Sequence, residues 1–262
     1  MTDVTFGSDK TELQDVCGGA LNVAVNGVEM LLLRDGALWW AEKSLLVVSD
    51  LHLEKASSYA RRGQMLPPYD TAATLALVEK LVLGLSPEQV ISLGDSFHDP
   101  FAHKRLSDDA IRRIQLLTSH TDWCWVEGNH DPQPPEEFGG RAMHEIEIGP
   151  LHFRHEPISG GRKGEIAGHL HPCARVRGRS WRHVRAKCFA YSSSRLVMPS
   201  LGAFTGGLNV LDPAVDVLFE HNMLVAMLGR DGVYRVRHDS LAPDGSEPRR
   251  VGIKRLRRKR AG

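Results

Sequence analysis

The chain has 262 residues, 42% of them hydrophobic, and a formal net charge of +1, enough for one large α/β domain or two small ones. No window approaches the roughly 18 uninterrupted apolar residues of a membrane span, and no basic-then-apolar leader opens the chain. The expectation is a soluble protein that stays where it is made, in the cytosol. The net charge conceals a division. Residues 249–262, "RRVGIKRLRRKRAG", carry eight basic side chains and no acidic one, so removing them from the total leaves residues 1–248 at −7.

Residues 1–19 show little periodicity and are expected to form a flexible N-terminus. "ALNVAVNGVEMLLLRDGALWW" predicts short strands turning at Asn26-Gly27 and Asp35-Gly36, two strong hairpin signals. "LLVVSD" follows as a central strand. "YDTAATLALVEKLVLGL" has apolar residues at helical spacing, with Asp70 the expected N-cap and Gly84 the expected stop. "QVISLGD" predicts the next buried strand, "LSDDAIRRIQLLTSH" the next helix and "DWCWVEGNHD" a third strand. Strand and helix alternation predicts right-handed crossovers and a mainly parallel core.

After Gly139 the character changes. "MHEIEIGPLHFRHEP", "GEIAGHLHPCARVRG", "VRAKCFAYSSSRLVMPSL" and "NVLDPAVDVLF" read as successive strands of a second, partly antiparallel sheet packed on the first. The expectation is one domain over residues 20–240 and a basic tail over 241–262. Such a tail fits phosphate backbones through counterion release or is a solvated terminus; both readings stay open. The four cysteines are scattered with no C-x-x-C pair, and Cys124 in its apolar strand reads as a small core residue.

The unusual polar groups collect just after strands: Asp50 and His52 in "SDLH"; Asp95, His98 and Asp99 in "LGDSFHD"; Asn129, His130 and Asp131 in "EGNHD". "FRHEP" then brings His155, and "AGHLHP" brings His169 and His171. Along an extended segment residues two apart point the same way, so Asp50 and His52 are expected to aim at one spot, and His169 and His171 to share a strand face. Ligands bind at the carboxyl ends of strands in α/β sheets, where neighbouring loops diverge. D-x-H and G-D alone are weak, since Gly and Asp are ordinary turn residues; GNHD is better, and GHLHP is more specific because Gly168 and Pro172 limit its backbone. The ordered set supplies enough oxygen and imidazole for two divalent ions.

In this order D-x-H, G-D, G-N-H-D, H and G-H-x-H resemble the calcineurin-like metallophosphoesterases, from about Leu45 to Pro172. "SDLHLEKASSYARRGQMLPPYDT", "GDSFHD", "HLHP" and "RLVMPSLGAFTGGLNV" look more closely like the bacterial ligase-associated DNA damage response endonucleases, a branch of that superfamily. The resemblance implies a four-layer α/β/β/α sandwich, with two packed mixed sheets flanked by helices. It implies Asp50, His52 and His171 on one metal, Asn129, His155 and His169 on the other, and Asp95 bridging both. His130 is implied as the catalytic residue, just outside the metals and facing the leaving oxygen. Two departures stand out. The superfamily often has Gly after the His at position 155, where this chain has Glu156 and Pro157. It commonly reads G-D-x-x-D, the last Asp orienting the His of G-N-H; here His98 takes that place and Asp99 follows, leaving Asp99 as the candidate to orient His130.

The chemistry explains the residue types. A phosphodiester is anionic and repels hydroxide, and two divalent ions about 3.5–4 Å apart counter this by acidifying a water and stabilising both attacking and leaving oxygens. A bridging carboxylate lowers the repulsion between the cations. Mixed oxygen and nitrogen donors without cysteine suit Mn²⁺ or Fe²⁺, with Zn²⁺ an alternative; the resemblance points to manganese. His130, with an unperturbed value near 6.5, either gives a proton to the departing alkoxide or stays charged to stabilise the phosphorane. Arg61 and Arg62 are expected to grip a phosphate, or else lie in a solvated loop. Arg154 and Lys163 read as ordinary surface charges. Tyr59 reads as a core aromatic or a base-stacking one, and "GAFTGG" as a turn, since it lacks the Lys and following helix of a P-loop.

The first functional reading is a phosphodiesterase acting on single-stranded DNA as an endonuclease. The resemblance adds a link to a DNA ligase and a helicase in a bacterial cytosol. The alternative is a metallophosphatase or phosphodiesterase for a small phosphoester, nucleotide or cyclic nucleotide. A third, a lapsed enzyme serving as a scaffold, is weakened because every ligand position is filled.

Overall fold

Short hydrophobic runs between turns over residues 21–143 become the strands of one sheet. The structure, a computed structural model, describes residues 15–160, 162–177, 183–220 and 222–245. The basic stretch 249–262 and residues 1–14 lie outside the described residues. Seven strands form the first sheet in chain order: β1 (Leu21–Val25), β2 (Val28–Leu32), β3 (Leu38–Trp40), β4 (Leu45–Val48), β5 (Gln89–Leu93), β6 (Asp122–Val126) and β7 (Arg141–Met143). Strands β1 to β4 pair antiparallel, turning at Asn26-Gly27 and Asp35-Gly36 as expected, and β4 to β7 pair parallel.

Among the described residues three α-helices lie between β4 and β6: α1 (Lys55–Ala60), α2 (Asp70–Leu85) and α3 (Asp108–His120). The short α1 has no counterpart in the periodicity, because six residues are too few to show one. Asp70 is not the cap of its own helix, which begins after Tyr69. Its carboxylate instead accepts from the Ala56 N–H at 2.9 Å, so it caps α1 from 14 residues away. Gly84 is not the stop either; α2 runs to Leu85 and ends on left-handed Ser86. Ser107 caps α3 through the Ala110 N–H.

The second sheet is mixed: β8 (Glu145–Ile148), β9 (Leu151–Arg154), β10 (Glu165–Ala167), β11 (Cys173–Arg177), β12 (His183–Tyr191), β13 (Arg195–Val197), β14 (Leu224–Leu228) and β15 (Val233–Val236). Its order is β15-β14-β12-β13-β10-β9-β8, with β11 paired to β12. Only the β9-β10 and β10-β13 pairs of this sheet are parallel. "DPAVDVLF" is not a strand. Asp212 caps a helical turn, α4 (Pro213–Asp216), with Pro at its first position, and a 3-10 turn follows. An Asp-Pro pair is a helix-start signature, and it outweighs the local alternation of Val and Leu.

Successive side chains of β4 serve two cores. Leu45 and Val47 face the second sheet with Leu93, Val126, Phe153, Ile166, Phe189 and Met198. Leu46 and Val48 face the helices, with Val78, Leu81, Ile114 and Trp123. Burial on both faces is why these strands read as continuous apolar runs. Beyond the second sheet the outer layer is thin, with Val210, Val215 and Phe219 closing over Ala190, Val197 and Val225. The expected sandwich of two packed mixed sheets is present. Its strand ends from both sheets meet at one rim.

Candidate metal centre

Each proposed ligand sits one to four residues beyond a strand, and five of the seven lie on backbone turned into the left-handed region. Asp50, His52, Asp95, His169 and His171 have φ of 53°, 47°, 47°, 68° and 47°. Non-glycine residues avoid this region, and its clustering at one place is typical of sites held strained by their surroundings. Extended alternation therefore does not bring Asp50 and His52 together. The chain has left β4 by then, and two left-handed residues turn their side chains inward. The turn is anchored by His52 N–H to Asp95 O and Leu53 N–H to Ser96 O, both 2.9 Å.

Close approach demands glycine at two further points. A Cβ on Gly168 would lie 2.1 Å from Ser49 Oγ, and one on Gly128 2.2 Å from the Asp95 nitrogen. These positions let the turns after β10 and β6 press against those after β4 and β5. The His169 N–H then reaches Asp50 Oδ2 at 3.1 Å, and the His130 N–H reaches Asp95 Oδ1 at 2.9 Å.

Two groups of donors result. Asp50, His52 and His171 form one, and Asp95, His155 and His169 the other, each with its donor atoms within 4.8 Å of one another. Asn129 joins the second, its Oδ1 lying 2.9 Å from His155 Nε2 and 3.0 Å from His169 Nδ1. His169 and His171 thus do not share a face; two left-handed residues send them into different groups. Asp95 lies between, with Oδ2 3.8 Å from His52 Nε2 and Oδ1 3.5 Å from His155 Nε2.

The donor chemistry fits cations. A backbone carbonyl only accepts, so His155 Nδ1 must donate to Leu93 O (3.0 Å) and His171 Nδ1 to Gly206 O (3.2 Å). That fixes both tautomers and aims each Nε2 inward, as metal-ligating histidines are held elsewhere. His171 Nε2 then meets His52 Nε2 at 3.2 Å, and His155 Nε2 meets the amide oxygen of Asn129. Neutral His52 can donate its Nε2–H to His171 Nε2, but Asp50 Oδ1 also lies 3.1 Å from that nitrogen, and two acceptors this close favour a positive species between them. Without metal, a proton serves: burial disfavours charge on His155, yet Asp95 and Asp50 outweigh it and lift the group to about 9. Burial likewise works against the Asp95 carboxylate, and His155 beside it holds it down to about 2. His52 is kept neutral, pushed to about 3 by burial.

His130 is less enclosed, its side chain 40% exposed. Its Nδ1 donates to the His98 carbonyl at 2.9 Å and its ring stacks on His98 at 5.2 Å. Nε2 lies 3.9 Å from Asp95 Oδ2. The expectation that Asp99 orients His130 is not met. Asp99 is turned to Arg105, which donates to both its oxygens at 3.0 and 2.6 Å; burial opposes that carboxylate, but Arg105 holds it at about 2. The one-residue offset that puts His98 in the usual Asp position leaves orientation to a main-chain carbonyl. Asp131 is buried, accepts from the Phe97 N–H, and is pushed up to about 8 by that burial.

Arg61 and Arg62 follow α1, exposed, with no ion pair among the described residues, and the Arg62 charge bears on His98. Arg154 is a structural pair with Glu145, at 2.6 Å across the β8-β9 hairpin. Two lysines escaped the sequence reading. Half-buried Lys55 bears on His52 and His98. Lys187 on β12 donates to Ser200 O and Gly202 O at 2.8 and 3.0 Å, and burial pushes it to about 8. The position of Lys55 directly after the D-x-H turn was a usable signal; Lys187 had none in its strand.

The family model for the calcineurin-like phosphoesterases matches residues 43–229, a span that contains every one of these donors. The chain belongs to the calcineurin-like phosphoesterase family. Among solved structures, the Pseudomonas putida nuclease MPE is similar at 26% identity and a TM-score of 0.65, covering 83% of this chain and 100% of that one. The E. coli phosphoesterase Yfce is similar at 15% identity and a TM-score of 0.37, covering 73% and 97%. No curated protein matches. As a calcineurin-like phosphoesterase the chain is a metal-dependent hydrolase, and its two donor groups accord with the paired divalent ions of that family.

Proposed function

We propose that the protein is a dinuclear-metal-dependent phosphodiesterase that hydrolyses DNA, cutting single strands internally in the response to DNA damage. The observation that carries the reading is Asp95, whose two oxygens address the two donor groups separately. Asp50, His52 and His171 would hold one ion and Asn129, His155 and His169 the other, with Asp95 shared. The set mixes carboxylate, amide and imidazole without thiolate, which suits manganese or iron(II) over a structural zinc, and the family resemblance favours manganese. The ions, when bound, supply Lewis acidity and a nucleophile at neutral pH.

The remaining work falls to the chain. His130, fixed by the His98 carbonyl, keeps Nε2 free to hold the proton that the departing oxygen needs. Arg61 and Arg62 stand within the first turns after the ligand loop, suited to a neighbouring phosphate. The structural likeness to a nuclease supports DNA over a small phosphoester. No helix among the described residues is long and apolar enough to cross a membrane. The same reading places the protein in the bacterial cytosol, linked in function to a DNA ligase and a helicase.

The test incubates pure protein and Mn²⁺ with circular single-stranded DNA, bis-(p-nitrophenyl) phosphate and p-nitrophenyl phosphate. A circle has no ends, so linear product is expected and marks internal cutting. Intact circles beside rapid monoester turnover would overturn the DNA reading in favour of a small phosphoester.

A further inference from the structure

The motif "GAFTGG", a plain turn by composition, is fastened at both ends to the metal centre. Leu201 N–H donates to Ser49 O at 2.8 Å and Gly202 N–H to Asp50 O at 3.1 Å. At the other end Gly206 O takes the Nδ1 proton of His171. Phe204 stands midway. Two residues of chain reach at most about 7 Å, so its Cα lies within that distance of each tie.

Phe204 is an odd residue for this place. Its φ is 56°, and it is 40% exposed. An aromatic residue in the left-handed region is a strained choice where Gly or Asn would sit freely, and the ring repays little of it by burial. It meets instead the ring of Tyr69, 58% exposed, at 5.6 Å and 57°. Tyr69 immediately precedes α2, and the Ala203 N–H holds the loop to that helix through Thr74 Oγ1 at 3.1 Å. Tyr59, the aromatic singled out from the sequence, is half-buried against His98 and less suited to a ligand.

We propose that Tyr69 and Phe204 form a stacking platform for unpaired bases, which makes single-stranded DNA the favoured substrate. The inference rests on the phosphodiesterase reading above and deepens it. Bases in a duplex are stacked on one another and offer no free face, whereas every unpaired base offers one to an aromatic ring. The cations suit the same occupant: Lys55 bears on the ligand His52, Lys55 and Arg62 bear on His98 beside it, and Arg61 and Arg62 have no acidic partner among the described residues. A polynucleotide with its backbone on these charges and a phosphate at Asp95 has its neighbouring bases within reach of the platform. An apolar protein segment would find the rings but would leave those cations unmatched.

The test measures kcat and KM with Mn²⁺ for a single-stranded oligonucleotide, a duplex of the same sequence and bis-(p-nitrophenyl) phosphate. Wild type is compared with Tyr69→Ala, Phe204→Ala, the double variant and Tyr69→Trp, each checked by thermal melting. KM for the single strand is expected to rise about tenfold per ring removed, with kcat changed less than threefold. The loss on the oligonucleotide should exceed that on the small diester at least tenfold. Tyr69→Trp should restore KM, and its fluorescence should be quenched by oligo(dT). If Phe204→Ala fails to fold, Tyr69→Ala and Tyr69→Trp decide. A folded Tyr69→Ala or double variant with unaltered KM, or one losing equally on single strand and duplex, overturns the platform alone. A wild type that cuts no DNA overturns the phosphodiesterase reading and the platform with it.

Discussion

The Nε2 atoms of His52 and His171 face each other at 3.2 Å although 119 residues separate them in the chain. Two imidazole nitrogens held this close, one with its tautomer fixed by the Gly206 carbonyl and 3.1 Å from Asp50 Oδ1, converge as ligands of one cation would. Adding Mn²⁺ to metal-free protein is therefore expected to raise its melting temperature. Saturation near 100 times Kd adds about 2.7 kcal/mol, roughly 5–10 °C for a domain of this size. His171→Ala should reduce bound manganese from two ions per chain to one, counted by equilibrium dialysis and mass spectrometry. An unchanged count would remove this histidine from the donor set.

Asp95 makes a sharper case because both groups depend on it. Asp95→Asn is expected to lower diester hydrolysis by at least ~100-fold, comparable to losing a preorganised electrostatic partner. Its circular dichroism and melting should stay close to wild type. Full activity in this variant would end the shared-carboxylate assignment.

The place of His130 outside the two groups predicts a dependence on leaving group. General acid catalysis contributes about 10²–10⁴-fold when the departing oxygen is basic. His130→Ala should lose that much on DNA and far less on bis-(p-nitrophenyl) phosphate, whose nitrophenolate leaves without help. Equal losses on both would assign the residue to charge stabilisation instead.

Asp131 predicts a pH effect on stability. An unfolded Asp titrates near 3.9, while burial, with the Asp95 charge adding to it, pushes the folded group up to about 8. Because the folded value is the higher, its contribution is full below about 3.9 and is lost as pH rises through about 8. In EDTA, the fall in melting temperature between pH 5 and pH 8.5 should shrink by about 3 °C or more in Asp131→Asn, the shift that ~1 kcal/mol produces here. Parallel curves for the two proteins would show that the carboxyl is already ionised.

Residues 249–262 carry eight positive charges. Their removal is expected to weaken DNA binding and flatten the slope of log affinity against log salt, since each phosphate neutralised contributes about 0.7–0.9 to that slope. An unaltered slope in a filter-binding titration would make the tail a solvated terminus.

Much of the site was legible in the chain, though for partly mistaken reasons. The strands β4, β5 and β6 announce themselves because both faces are buried, and the polar groups at their ends stand out against such runs. Asp50 with His52, and His169 with His171, suggest convergence by pleat alternation. The convergence is real only for the first pair, and it comes from left-handed turns. Backbone reversal of this kind leaves no periodic trace, so the spacing put His169 and His171 on one face and only the family resemblance put them on different ions. Asp70 and Asp99 carry ordinary capping and pairing signals whose partners, Ala56 and Arg105, are chosen by tertiary contact. Lys187 is invisible for the same reason: its role depends on the Ser200 and Gly202 carbonyls, brought to it by the path of the 199–207 segment.

The donors are drawn from both sheets, Asp50, His52, Asp95 and Asn129 from the strand ends of one and His155, His169 and His171 from those of the other. Neither half of the polypeptide therefore owns a complete cage. A fragment broken between residues 131 and 155, or a chain still emerging from the ribosome before residue 155, carries carboxylates and an amide but lacks three of its four ligand imidazoles. A complete metal centre arrives only with the finished tertiary assembly, so an unfinished chain lacks the means to hydrolyse a phosphoester.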